Sequence, residues 1–201
     1  KKKFDRYENM NQILINGFPH YLSTKNLNGD SLKNDTRNVF YLLHNSLPSH
    51  SGGYACRSHG IIKNMDTDYW NIIPYSRLGY PWDSKGFRDL PIVKTESFDE
   101  IQYNRIYIGL QGHGSMKITD YVSEYAHAIV SRAKGGKPII IQAASNHVNG
   151  LAAVMAARIL GIKCIYEVRG LWEITRLSRQ PKWAGSEQAL LIEYLETEAA
   201  I

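Results

Sequence analysis

The sequence predicts an α/β domain built on a mostly parallel, Rossmann-like sheet with helices on both faces, and three observations lead there. Short continuous apolar runs, "NVFYLLH" at 38–44, "PIIIQAA" at 138–144 and "KCIYEV" at 163–168, have the composition of strands buried on both faces. Stretches between them place apolar residues three and four apart, the spacing of a helix with one packed side. Strand and helix signals alternate along the chain, as they must where each parallel strand reaches the next by a crossover.

Taken in order, residues 1–37 are polar and read as a connector or appendage. Within it "FDRYENMNQILING" at 4–17 forms one amphipathic helix, and "STKNLNGDSLKND" at 23–35 is a polar cluster. The main domain is expected over 38–201. After the first strand, Tyr54, Ala55, Ile61, Ile62 and Met65 share a helical face. "YWNIIPY" at 69–75 is the next strand. Residues 76–104 have the Gly, Pro and Asp content of irregular structure, with Tyr80 and Trp82 expected at the surface. "IQYNRIYI" at 101–108 alternates as a short strand or hairpin arm does. A longer helix starts near Thr119, where Tyr121, Val122, Tyr125, Ala126, Ile129 and Val130 repeat at helical spacing, and "KGGKP" stops it. Asn146 predicts the N-cap of "HVNGLAAVMAARIL", which ends at Gly161. "GSEQALLIEYLETEAAI" at 185–201 is a last helix.

Composition narrows the function. A chain of 201 residues with 43% hydrophobic and 11% aromatic content suffices for one buried core. The net charge of +5 resolves into Lys1, Lys2 and Lys3 plus 21 other basic residues against 19 acidic ones. That is a basic terminus rather than the basic face of a nucleic-acid binder, so no nucleic-acid partner is expected. The small excess is compatible with peripheral contact at an anionic membrane. Cys56 and Cys164 lack any CxxC or Cys/His ligand spacing and read as two buried thiols, so no metal is expected. No run of about 18 apolar residues and no signal-peptide core occurs, the pattern of a cytoplasmic protein.

Ligands of such sheets sit outside the carboxyl ends of the strands, which directs attention to the loops after 44, 75, 143 and 168. In "LPSHSGGYACRSHGII", Gly52 and Gly53 stand just before a helix. There the free N–H groups and the positive end of the helix dipole favour an anion such as a phosphate, although a glycine pair also serves ordinary turn chemistry. Neither GxxxxGK[ST] nor GxGxxG is present, and the second strand leads into Ser76 and Arg77 where a nicotinamide binder needs an acid. "QAASNHVNG" brings Gln142, Ser145, Asn146 and His147 to a strand end, suited to sugar hydroxyls or a leaving group. His147 reads equally as a satisfied histidine at a helix start. In "YEVRGLWE", Glu167, Arg169 and Glu173 form either an internal arginine–carboxylate pair, the simpler reading for a buried strand end, or an acid/base set. GxSxG, HExxH and the kinase signatures are absent.

Together, "LPSHSGGYACRSHGII" and "QAASNHVNGLAAVMAARILGIKCIYEVRGLWEITR" resemble the amino-terminal domain of bacterial GT-B glycosyltransferases of family 4, which build capsular and other surface polysaccharides. The resemblance covers about residues 38–200. It implies the amino-terminal half of a GT-B fold and retaining transfer from a nucleotide-sugar donor to a sugar or lipid-linked acceptor. No cofactor and no essential metal are implied, and the cleft lies between two Rossmann-like domains. It implies that Gly52 and Gly53 face the donor diphosphate and acceptor, that Arg57 and His59 follow on the first helix, and that Glu167, Arg169 and Glu173 line the cleft. Gln142 stands where many members have a histidine, so no histidine-assisted step is implied there, and no catalytic residue is assigned. The family's donor-binding domain has no match, which predicts a fragment inactive alone or one chain of a split enzyme. A non-catalytic binding module with the same fold is the alternative.

Overall fold

The computed structural model describes residues 2–18, 36–107, 109, 114, 116–170 and 172–200. A first helix, α1 (Lys2–Asn16), precedes β1 (Asn38–Leu43), α2 (Gly53–Asn64) and β2 (Asn71–Ser76). A hairpin of β3 (Thr95–Phe98) and β4 (Ile101–Asn104) follows. Then α3 (Ile118–Gly136), β5 (Ile140–Ala144), α4 (His147–Leu160) and β6 (Lys163–Glu167) alternate. The last described elements are α5 (Trp172–Arg179), a 3-10 turn (Pro181–Trp183) and α6 (Glu187–Ala200).

The strands form one sheet in the order β3-β4-β2-β1-β5-β6, parallel except where the hairpin pairs β3 with β4. β1 lies inside it because Val39 to Leu43 leave no face for water. Its side chains alternate between two cores. Phe40 and Leu42 pack with Tyr121, Val122, Tyr125 and Ile129 of α3 and with the alanines of α4. Tyr41 and Leu43 pack on the opposite face with Ala55 and Ile62 of α2 and Tyr103 of β4. Both faces of the sheet are therefore covered, as the continuous apolar run requires. Met10 and Ile13 of α1 and Leu191 and Leu195 of α6 join the larger core, so the helix within the polar amino-terminal stretch packs on the domain.

α4 is buried nearly all round, and its small residues let neighbours approach closely. A Cβ on Gly150 would meet Ala199 Cβ and Tyr166 Cδ2 at 2.8 Å. The helix ends as expected at Gly161, whose φ of 66° suits a residue without a Cβ.

Several expectations need correction. "KCIYEV" is not buried on both faces: β6 lies at the sheet edge, with Lys163 and Ile165 exposed. Cys56 is exposed, because the inward stripe of α2 runs through Ala55, Ser58 and Ile62. Cys164 is partly buried, and that burial pushes its thiol up to about 11. Tyr80 and Trp82 are buried, not surface aromatics. The Tyr80 ring lies beneath the guanidinium groups of Arg77 and Arg105, while Trp82 Nε1 donates to Pro91 O at 3.3 Å. The polar cluster at 23–35 and position 108 of the alternating stretch lie outside the described residues. No helix among the described residues is long and apolar enough to cross a membrane.

Candidate functional site

The loops after β1, β5 and β6 meet at the carboxyl edge of the sheet, and the amino terminus of α2 opens there. Gly52 is the N-cap, extended at φ −69°, and no side chain caps the helix. The first-turn N–H groups of an α-helix have no partner within it, so those of α2 point outward from this edge. A Cβ on Gly52 or Gly53 would meet nothing within 4 Å, and neither residue has a positive φ. Neither turn geometry nor packing therefore calls for glycine here. A side chain at either position would occupy only the open space in front of the helix terminus.

Behind this opening is a buried brace centred on Arg169, whose side chain is 1% exposed. Its guanidinium grips Glu167 through two bonds, Nε to Oε1 at 2.9 Å and Nη2 to Oε2 at 3.0 Å. It also donates to Ser58 Oγ at 2.6 Å, to Tyr54 O at 3.2 Å and to the Tyr41 hydroxyl. Tyr41 in turn donates to Glu167 Oε2 at 2.7 Å, and Gln142 Nε2 does so at 3.3 Å. The backbone N–H of Arg169 donates to Ser145 Oγ at 2.7 Å. Burial pushes the Glu167 carboxyl up, but the hydrogen bonds from Arg169 and Tyr41 outweigh it and leave the group below the usual carboxylate value. Burial, then the neighbouring Glu167, pushes the Tyr41 hydroxyl well up, so it stays protonated as a donor. The geometry matches the internal ion pair rather than a poised acid. One brace ties β1, β5 and β6 to the first turns of α2.

A second set of bonds holds the loop from the other side. Arg105, on the chain leaving β4, donates to Ser46 Oγ at 2.5 Å and Leu47 O at 3.3 Å and pairs with Glu96. The Tyr80 hydroxyl donates to Ser46 O at 2.9 Å, accepts from Ser46 N at 3.2 Å and meets His50 Nδ1 at 2.8 Å. The glycine loop is thus clamped at both ends and open at its tip.

The predicted residues separate into groups. Gly52, Gly53, Gln142, Glu167 and Arg169 gather at this edge, and Arg57 leans toward Glu167 at 3.8 Å with its side chain 56% exposed. Asn146 caps α4 through its backbone, and its side-chain Oδ1 is buried without a partner, as is Glu173 Oε2 in the first turn of α5. Two histidines point elsewhere. His147 bonds to Glu196 of α6, whose Oε1 accepts from His147 N at 3.0 Å and meets Nδ1 at 3.1 Å, so that glutamate caps α4. His59 is held by Tyr103 at 2.8 Å and Asp99 at 3.1 Å beside the hairpin. Ser145, expected at the strand end, joins the brace through Arg169 N, whereas Tyr41 and Ser58 were missed. Ser58 carried a signal, since a serine on the inward stripe of α2 needs a polar partner. Tyr41 was hidden inside an apolar run.

No family model matches the chain, and no curated protein matches it. Among solved structures it is similar to sucrose-phosphate synthase from Thermosynechococcus elongatus, at a TM-score of 0.54 and 10% identity over 78% of this chain. The chain spans 39% of that protein's chain. The likeness is one of fold, and it agrees with the Rossmann-like half of a GT-B architecture that the sequence led us to expect.

Proposed function

We propose that this chain is the acceptor-side domain of a glycosyltransferase, supplying one wall of a site where a sugar passes from a nucleotide-sugar donor to an acceptor with retention of configuration. The observation that carries the reading is the uncapped amino terminus of α2, kept open by two glycines that neither packing nor turn geometry requires. In this reading the N–H groups of Gly53 and Tyr54, with Arg57, take up charge developing on the departing diphosphate, without a metal. Two clamps fix those donors in advance, so little reorganisation accompanies the reaction. Glu167 and Arg169 act as positioning residues, because their bonding capacity is spent within the brace, on each other and on Tyr41, Ser58 and Gln142. The fold shared with a sucrose-phosphate synthase supports a glycosyltransferase-like assignment. Family 4 membership, a role in polysaccharide or glycoconjugate synthesis, and a donor-binding domain supplied beyond these residues belong to the same proposal.

The test is titration of the chain with inorganic pyrophosphate and nucleoside diphosphates, followed by backbone amide resonances. The Gly53, Tyr54 and Ala55 amides should shift, and Gly53→Val should abolish the shifts while changing stability by no more than about 1 kcal/mol. Unmoved amides at millimolar ligand, or shifts that survive Gly53→Val, would reject the anion site. A folded parent chain that binds the anion but gives no turnover with any nucleotide sugar, when joined to a donor domain, would favour the non-catalytic binding module.

A further inference from the structure

We infer that His50 is the residue of the glycine loop that receives a substrate hydroxyl, its Nε2 accepting a hydrogen bond from a sugar in front of α2. The proton balance around Tyr80 leads to this. Three polar atoms surround the Tyr80 hydroxyl oxygen: Ser46 O at 2.9 Å, Ser46 N at 3.2 Å and His50 Nδ1 at 2.8 Å. A carbonyl oxygen only accepts, and a backbone N–H only donates. The single hydroxyl proton therefore goes to Ser46 O, and Nδ1 must carry a proton of its own to complete the third bond. In a neutral imidazole that leaves the lone pair on Nε2.

The ring is held in position as well as in tautomer. His50 N donates to Ser46 O at 3.1 Å, and the imidazole stacks on Phe87 with ring centroids 5.3 Å apart. Tyr80 is buried beneath Arg77 and Arg105, so Nδ1 bonds to a partner that does not move. His50 is half-buried, and its Nε2 has no hydrogen-bond partner among the described residues yet is not shut away from solvent. An immobilised lone pair, two residues before Gly52, faces the space that the loop leaves open. A lone pair takes only a donor, so Nε2 does not bind the oxygens of a deprotonated diphosphate, which the Gly53 and Tyr54 amides take in the site proposed above. Its complement is an O–H group. In that site the hydroxyl is the acceptor sugar's, held against the departing diphosphate because one short loop binds both. This use rests on the transferase reading, whereas the tautomer does not.

The experiment is nitrogen NMR of the imidazoles of this chain at mildly alkaline pH. Methyl glycosides of glucose, galactose, mannose and N-acetylglucosamine are then titrated in, with and without pyrophosphate. His50 should show a protonated Nδ1 and a bare Nε2, and the Nε2 resonance should move with at least one glycoside. His50→Phe keeps the stack on Phe87 but removes the acceptor, and should weaken glycoside binding about tenfold. Tyr80→Phe removes the partner of Nδ1 and should release the tautomer. A His50 that carries its proton on Nε2, an Nε2 resonance unmoved by every glycoside, or glycoside binding that survives His50→Phe overturns the proposal. If His50→Phe does not fold, the tautomer and the Nε2 response of the parent chain decide alone. Failure of His50 on a chain whose Gly53 and Tyr54 amides respond to pyrophosphate leaves the transferase reading standing. A glycoside response from Nε2 on a chain that ignores pyrophosphate keeps the hydroxyl site and rejects that reading.

Discussion

Tyr41 does more for the site than its place in an apolar strand indicates. Its ring belongs to the core beneath α2, while its hydroxyl stands between Glu167 and Arg169 and serves both. Tyr41→Phe keeps the ring and removes the one atom that accepts from Arg169 and donates to Glu167. It should therefore cost about 1–2 kcal/mol in urea unfolding, and a double-mutant cycle with Glu167→Gln should show coupling between the two sites. At this scale the sequence was legible wherever chemistry was carried by an unusual residue in an unusual place. The glycine pair, Glu167 and Arg169 stood out because each is out of character at a strand end or a helix start. Tyr41 did not, because aromatic residues are ordinary in strands and only the fold shows where the hydroxyl ends.

Among the elements, α4 depends on close approach. Ala199 of α6 and Tyr166 of β6 lie where a Cβ on Gly150 would fall, so Gly150→Ala must push apart a helix or turn an aromatic ring. We expect a loss of about 1–3 kcal/mol in thermal or denaturant unfolding, in contrast to the near-neutral change expected at Gly53. The buried strands and the amphipathic helices were readable because burial imposes their periodicity. α5 was not foreseen, because it is only eight residues long and its less exposed side carries Glu173 and Arg176 beside Leu177 rather than an apolar stripe. β3 escaped for a similar reason: "TESF" is an exposed edge strand defined by its pairing with β4 rather than by its own composition. Tyr80 and Trp82 show the converse error, since a turn-rich composition says nothing about whether the turns fold back over aromatic rings.

For the molecule as a whole, two partly buried glutamates contribute to the response to acid. Glu196, like Glu167, is pushed up by burial but held below the usual carboxylate value by its hydrogen bonds, here from His147 and Tyr166. Both carboxyls are more acidic folded than unfolded. The stability they contribute is present above the unfolded value of about 4.3 and is lost as pH falls through the lower folded values. The thermal midpoint should therefore fall on acidification below about pH 4.5. Glu196→Gln should lower stability at neutral pH and flatten that acid limb, which a melting series from pH 3 to 7 would measure. The parallel sheet was predictable from alternation alone, whereas the convergence of residues 41, 58, 145, 167 and 169 was not, because they are neighbours only after β1, β5 and β6 align.

That convergence also bears on inheritance. Arg169 is shared by a strand tyrosine, a helix serine, a loop serine and a glutamate two residues away. A lysine could not reproduce its fork, and a change at any one position leaves charge or hydrogen-bonding capacity unmet at the others. Drift at these five positions is therefore mutually constrained: descendants of this chain keep the set together or exchange it together.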